Sequence, residues 1–482
     1  MSNFAAPQIS AAEYYYNTGK LVFTCTNLAS DLTSNNDINV SHFSIKGFNN
    51  NTYTLGSSTS DLEVTSATGF TVYLEGDDKS GVDDLLDLDG TAASDGITYN
   101  INATENWNDA STATDLDNTT PVTVYNVPLL SDATASETNI CPGENITLNA
   151  NPSGATGAYS YAWSSIPSGT YPNNESLSVS PTETTAYYVT VTDGTKTHTS
   201  NVVVSVNPLP ELSSTSTPDP ICSGTEFSYT PSSNQNVISF AWNRDDITGI
   251  NEGASGSTGS ISETLTNLTN SPVTVKYYYE LTSNAGCVNT DSIIFDVNPN
   301  GQVNDITDQT LCNGNNTSPI NFTTNNSGGT TTFEWSNNNN SIGLASSGAN
   351  DIESFTAINN GTTPLGATIE VTPTFENGGI GCAATTPKSF NINVNPSAQV
   401  DDITDKIACH LETVPEIVFS TSNTGGTTTY SWISSTDVGF GTGNNGNIAE
   451  FNANNSNSSP RTATVTVYPE YTSNGVTCNS TT

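Results

Sequence analysis

Eight cysteines carry the most legible chemistry in this 482-residue sequence. Two thiols whose Cα atoms approach within about 4–7 Å can be joined as a disulfide, and here cysteines recur in pairs. Cys222 and Cys287, Cys312 and Cys382, and Cys409 and Cys478 stand 65, 70 and 69 residues apart. One early and one late cysteine per repeat predicts three bridges, each inside its own repeat. Loops of that length would restrict the unfolded chain by about 4 kcal/mol each. The early cysteine precedes its strand (CSGTEF, Cys222–Phe227), and the late one sits in a turn before the last strand (NAGC, Asn284–Cys287). The bridge is therefore expected to tie one end of a module, not to cross its core. Cys25 and Cys141 stand outside this scheme. Counted back from the following joint, Lys196 holds the place of a mate for Cys141. A Cys25–Cys141 bridge would require the intervening joint to fold back, so both are expected as small buried hydrophobes. Disulfides imply an oxidising compartment and an exported chain.

Other chemistry is sparse. His42, His198 and His410 lie far apart, and none has a neighbouring Cys or His at metal-ligand spacing. No GxSxG, P-loop or HExxH motif occurs. The paired carboxylates of a glycosidase need a cleft, which small sandwiches joined end to end do not offer. The chain is expected not to be an enzyme. Asp77, Asp78, Asp83, Asp84, Asp87, Asp89 and Asp95 crowd into a short acidic stretch. Calcium takes six to eight oxygens, so these are the calcium candidates, and no other cofactor is expected. The full EF-hand loop is absent, and a solvated acidic face is the plainer reading.

The elements that hold these residues are β-strands. Charged residues are 12% of the chain, and 9 Lys and Arg face 48 Asp and Glu, for a net charge of −39. Such a surface excludes nucleic acid and anionic lipid as partners. Thr, Val, Tyr, Phe and Ile favour strands, and Asn and Gly favour turns. No apolar run is long enough for a membrane-crossing helix. The opening residues lack the basic and apolar regions of a secretory signal, as expected if a signal was removed or the chain is internal to a longer one.

A long repeat organises the chain. QVNDITDQTLC (Gln302–Cys312) returns 97 residues later as QVDDITDKIAC (Gln399–Cys409), and SGGTTTFEW (Ser327–Trp335) as TGGTTTYSW (Thr424–Trp432). ATIEVTPTFENGGIGC (Ala367–Cys382) returns as ATVTVYPEYTSNGVTC (Ala463–Cys478). Val206-Asn207-Pro208, Val297-Asn298-Pro299 and Val394-Asn395-Pro396 mark three joints, where proline ends a strand and stiffens the connection. The expected modules are 1–128, 129–208, 209–299, 300–396 and 397–482. Trp163, Trp242, Trp335 and Trp432 follow the leading cysteine by 22, 20, 23 and 23 residues and are expected in the cores. Late strands alternate apolar and polar residues, as in two packed antiparallel sheets. In the first module, strands are expected at Lys20–Thr26, Ile38–Lys46, Phe70–Glu75, Ile97–Ile101 and Pro121–Tyr125. The only expected helix is Ser80–Gly90, with Val82, Leu85 and Leu86 as its apolar stripe. The fold expected is all-β: five immunoglobulin-like sandwich modules in an elongated rod.

The motifs CPGENITLNA (Cys141–Ala150), YAW (Tyr161–Trp163) and TTAYYVTVTD (Thr184–Asp193), together with the VNP joints, resemble immunoglobulin-like and PKD-like repeats of large exported proteins of gliding and marine Bacteroidota. The first module, with TGKLVFTCTNL and GVDDLLDLDGTAASDGITYNI, is similar to a repeat of bacterial surface adhesins in which glycine is more usual at Cys25. The resemblance implies a stretch of a cell-surface adhesin of the gliding-motility type, exported by the type IX system through a separate C-terminal domain, and surface glycans or proteins as its partners. Noncatalytic accessory modules of an exported polysaccharide-active enzyme, or a bare structural stalk, are the alternatives. The fifth module stops four residues after Cys478, without a counterpart to the fourth module's last strand at Lys388–Val394. Its open edge is expected to be a cut end, to be completed by a further segment, or to self-associate by strand donation.

Overall fold

The computed structural model describes residues 5–30, 37–109 and 117–480. Strands dominate, and one α-helix, Gly76–Asp83, occurs among the described residues. The architecture is all-β and immunoglobulin-like in tandem. Five separate hydrophobic cores are present, gathered around Phe23, Trp163, Trp242, Trp335 and Trp432, and the segments around them are numbered here as modules one to five. The chain forms two compact units, Met1–Pro210 with Thr282–Val288, and Glu211–Leu281 with Asn289–Thr482.

The first module is a seven-stranded sheet in the order Thr52–Thr54, Phe43–Lys46, Asn100–Ala103, Asp117–Tyr125, Gln8–Tyr15, Lys20–Thr26, Gly69–Tyr73. Gln8–Tyr15 and Asp117–Tyr125 run parallel, with Ala12 opposite Val122. The sheet closes over an aromatic cluster, since Phe23 meets Phe70 at 4.4 Å and Phe43 at 5.0 Å between ring centres. Trp107 is fully buried beside them. The helix lies earlier than its apolar spacing predicts. Asp77 and Asp78 occupy its first turn, where a carboxylate suits the helix dipole. The Asp78 carboxylate also accepts from Gly56 N at 2.7 Å, Thr59 N at 2.9 Å and the Tyr53 hydroxyl at 3.1 Å, which pins the start of the helix. Leu85 and Leu86 both donate their backbone N–H to Val82 O, so the helix ends before them and they enter the core from a turn.

Modules two and three each pair two sheets. In the second, Asn139–Ile140, Thr197–Val206, Thr185–Thr192 and Ser160–Ile166 face the sheet of Ser176–Val179, Ile146–Asn149 and Thr134–Ala135. In the third, Ile221–Cys222, Val288–Asn298, Val273–Ser283, Val237–Arg244 and Ser255–Thr258 face the pair Thr225–Tyr229 and Ile261–Leu265. The fourth has Gln309–Cys312, Lys388–Asn395, Leu365–Asn377, Thr330–Asn337 and Ser347–Ala349 in one sheet, with Ile380–Ala383 as a hairpin on Leu365–Asn377.

In each of these modules the short leading strand runs parallel to the end of the last strand. Ile140 stands opposite Val206, Cys222 opposite Asn298, and Cys312 opposite Asn395. The fifth module has the sheet Gly443–Asn445, Thr427–Ser434, Val465–Ser473, Val476–Asn479. There Val465–Ser473 is paired on its second side only over Glu470–Ser473, whereas Leu365–Val371 of the fourth module is covered on that side by Lys388–Val394.

Candidate functional site: the joints between modules

The disulfides differ from the sequence expectation. Cys141 bonds Cys287, Cys222 bonds Cys382, and Cys312 bonds Cys478, with Cα separations of 5.4, 5.4 and 5.5 Å. The expected pairs Cys222–Cys287, Cys312–Cys382 and Cys409–Cys478 do not form, and Cys141 is bonded. The parallel leading strand is the reason. It places Cys222 beside Asn298, at the downstream end of the last strand. Cys287 precedes that strand, whose 11 residues span about 36 Å at ~3.3 Å per residue. A disulfide tolerates no more than about 7 Å between Cα atoms. Each leading cysteine therefore reaches the hairpin tip of the following module instead of its own. Cys25 is buried in the first core, and Cys409 is an exposed, free thiol.

Two joints inside the second unit repeat in detail. At the tip of the Leu365–Asn377 hairpin, Asn377 donates to Asn298 Oδ1 at 3.0 Å and its carbonyl accepts from Asn298 Nδ2 at 3.0 Å. One module on, Asn395 Nδ2 donates to Ser473 O at 2.8 Å and to Val476 O at 3.2 Å. Both joint asparagines are fully buried. They are the Asn of the Val-Asn-Pro segments, and they hold the tip that carries the cysteine.

A second contact joins the same modules at each of these two joints. Ser327 N donates to Asn270 O, and Thr424 N donates to Thr362 O, both at 2.9 Å. The next residue in each case is a glycine at positive φ, Gly328 at +79° and Gly425 at +75°. A Cβ there would lie 3.0 Å from Pro272 Cδ and 2.9 Å from Pro364 Cδ. Backbone conformation and space both demand glycine at these two positions.

Between modules one and two, charge stands where sulfur stands elsewhere. Lys196 sits at the hairpin tip, and its Nζ donates to Asp89 Oδ2 at 2.7 Å and to Val127 O at 2.6 Å. Asp89 also accepts from Val127 N and donates its own N–H to Ala155 O. The tip is shaped by Asp193, which accepts from the backbone N–H of Lys196 at 2.6 Å and of Thr195 at 2.8 Å. Those two N–H groups, Lys196 first, hold the Asp193 carboxyl down at about 2.

The remaining candidates are dispersed. Asp83 bonds Tyr14 and Lys79, Asp87 bonds Tyr99 and Ser94, and Asp78 and Asp89 have the partners given above. Among the described residues no group of three or more His, Cys, Asp or Glu side chains is placed to hold a metal. His42 meets Thr104, and His410 Nδ1 accepts from Asn455 N. His198 Nδ1 lies 3.0 Å from Ser131 Oγ but also accepts from Ser131 N. Among the described residues no carboxylate bonds that ring, so the geometry of an activated serine is not assembled. Trp163, Trp242, Trp335 and Trp432 are all buried in module cores, and Trp163 Nε1 donates to Asn174 O at 2.8 Å.

No protein-family model matches this chain, and no match was found among curated proteins. Solved structures that align with it include an I-band fragment of titin, at 10% identity over 56% of this chain and 99% of that one, with a TM-score of 0.27. The N-terminal four Ig domains of Dscam1 isoform 1.9 align at 9% identity over 82% and 100% of the two chains, with a TM-score of 0.19. The insect immune protein hemolin aligns at 12% identity over 82% and 100%, with a TM-score of 0.21. The fold assignment itself rests on the sheets and cores described above. Three disulfides mark the protein as extracellular.

Proposed function

We propose that this chain is a load-bearing stretch of a cell-surface adhesin or surface filament. The reading is carried by Cys222–Cys382 and Cys312–Cys478, which join neighbouring modules in one repeated geometry. A disulfide inside a module protects that module. A disulfide between modules fixes the joint, which is the element that yields when an array is pulled. The acidic surface keeps neighbouring copies apart in solution. The sequence resemblance to gliding-motility adhesins of Bacteroidota supports the same reading, with type IX export and surface glycans or proteins as the partners gripped. The test is immunogold labelling of intact source cells with antibody raised against the whole chain. Label projecting from the cell surface is the expected result. Label found only in the medium, co-purifying with a polysaccharide-degrading activity, would overturn it in favour of accessory modules of an exported enzyme.

A further inference from the structure

The fifth module carries three of the parts with which the third and fourth modules hold a successor. Beside the joint asparagines Asn298 and Asn395, three parts of those modules meet the next one: a leading cysteine, a carbonyl two residues before a proline, and that proline. They are Cys222, Asn270 O and Pro272, then Cys312, Thr362 O and Pro364. The turn bearing the carbonyl is built the same way each time. Asn267 Nδ2 donates to Ser271 O while its Oδ1 accepts from Thr269 N, and Asn359 Nδ2 donates to Thr363 O while its Oδ1 accepts from Gly361 N. In the fifth module Asn455 Nδ2 donates to Ser459 O at 3.0 Å and its Oδ1 accepts from Asn457 N at 3.1 Å. That places Ser458 O and Pro460 as the counterparts, and both residues are exposed. Cys409 completes the set. Its N–H is held by Glu412 Oε2 at 2.6 Å, as the Cys141 N–H is held by Glu144 Oε2 at 3.1 Å. The other three leading cysteines, Cys141, Cys222 and Cys312, are each bonded to a hairpin-tip cysteine of the next module.

We infer that Cys409, Ser458 and Pro460 form a docking surface for one more module of this type, and that Cys409 forms a disulfide with its hairpin-tip cysteine. The occupant is defined by chemistry. It carries a Gly-Gly turn, whose preceding N–H meets Ser458 O and whose first glycine accommodates Pro460, and a cysteine at the tip of its long hairpin. The present chain cannot supply that partner from a second copy, since Cys287, Cys382 and Cys478 are already bonded. Bond formation removes two protons and two electrons from the two thiols. The electrons pass to the disulfide of a dithiol oxidoreductase, which becomes its dithiol; in vitro, oxidised glutathione serves and leaves two reduced glutathiones. This inference rests on the joint geometry alone and holds whether or not the array is adhesive.

The test extends the full chain after Thr482 with a second copy of residues 387–482, in which Cys409 is replaced by Ser. Thr482 and Thr386 each stand four residues after a hairpin-tip cysteine, so the copy continues the fifth module in register. The protein is folded in a glutathione redox buffer, the monodisperse fraction is alkylated, and it is digested without reduction. In the unextended chain Cys409 is expected to be fully alkylated. In the extended chain it is expected to escape alkylation and appear cross-linked to a Cys478 peptide. Replacing Cys478 of the second copy by Ser is expected to restore alkylation. Cys409 remaining alkylated in the extended chain while Cys222–Cys382 and Cys312–Cys478 form would overturn the inference, as would its cross-linking to any other cysteine.

Discussion

Pulling the chain from its two ends, before and after reduction, reads the joint disulfides directly. Cys141 and Cys478 lie about 340 residues apart in sequence, about 1,150 Å when straightened at ~3.4 Å per residue. With the disulfides intact, the shortest covalent route is far shorter. It crosses from Cys141 to Cys287, follows about 25 residues to Cys312 and crosses to Cys478, about 95 Å in all. Pairs confined within modules would leave about 130 residues outside any loop, or about 450 Å. Single-molecule force spectroscopy distinguishes the three values, with the extension of residues 1–141 common to all of them. The oxidised protein is expected to reach a contour length of about 95 Å between Cys141 and Cys478. After treatment with a phosphine reductant it is expected to reach about 1,150 Å in successive module-sized steps. An oxidised value near 450 Å would restore pairing within modules and refute the reasoning, and lengths that do not change on reduction would remove the disulfides from the load path.

Three further outcomes are expected. Arg244 is fully buried, paired with Glu263 at 3.2 Å, and its guanidinium donates to Glu252 O and Gly253 O; burial, and then the bond to Glu263, raise the adjacent Tyr277 phenol above its ordinary range. Arg244→Ala leaves that carboxylate without its cation and is expected to cost about 3–5 kcal/mol in denaturant unfolding, and a loss below about 1 kcal/mol would show that the pair contributes little. Trp335→Ala empties the fourth core and is expected to cost about 3–5 kcal/mol, with unchanged stability placing the indole outside the core. Asp193 has its folded pKa lowered from 3.8 to about 2, so its contribution is present above about pH 4 and lost as pH falls towards 2; Asp193→Asn is expected to flatten the melting temperature over that window, and a variant that follows the parent's acid profile would contradict the assignment.

Much of this architecture is written locally. Alternation of apolar and polar residues marks Lys20–Thr26 and the late strands of the fourth and fifth modules, because period two is a property of neighbours in sequence. The four tryptophans report the cores for the same reason. What alternation cannot carry is strand direction. A leading strand that runs parallel to its partner buries the same residues as one that runs antiparallel, yet it moves its cysteine to the opposite end of the module. The count of cysteines, one early and one late, was therefore readable, while their partners were not. The joint asparagines were visible as Val-Asn-Pro, but proline alone explained the motif well enough to hide what Asn298 and Asn395 hold. Lys196 in a cysteine's place was also visible. Its partner was not, because Asp89 comes from another module and stood among the acidic residues considered for calcium. Gln8–Tyr15, which pairs locally with Lys20–Thr26 and in parallel with Asp117–Tyr125, was not among the expected strands.

The staggered disulfides also change what a protease can do. The loops closed by Cys141–Cys287, Cys222–Cys382 and Cys312–Cys478 overlap in sequence. Every peptide bond from Cys141 to Cys478 lies inside at least one of them, and those between Cys222 and Cys287 or between Cys312 and Cys382 lie inside two. A single cut anywhere in that interval opens a ring and releases nothing. Bridges closed within modules would have left each linker as the sole covalent thread, severed by one cleavage at its most accessible point. Between Cys141 and Cys478 the linkers are spanned by the bonds that would otherwise have stopped short of them, and modules two to five stay in one piece after any one cut.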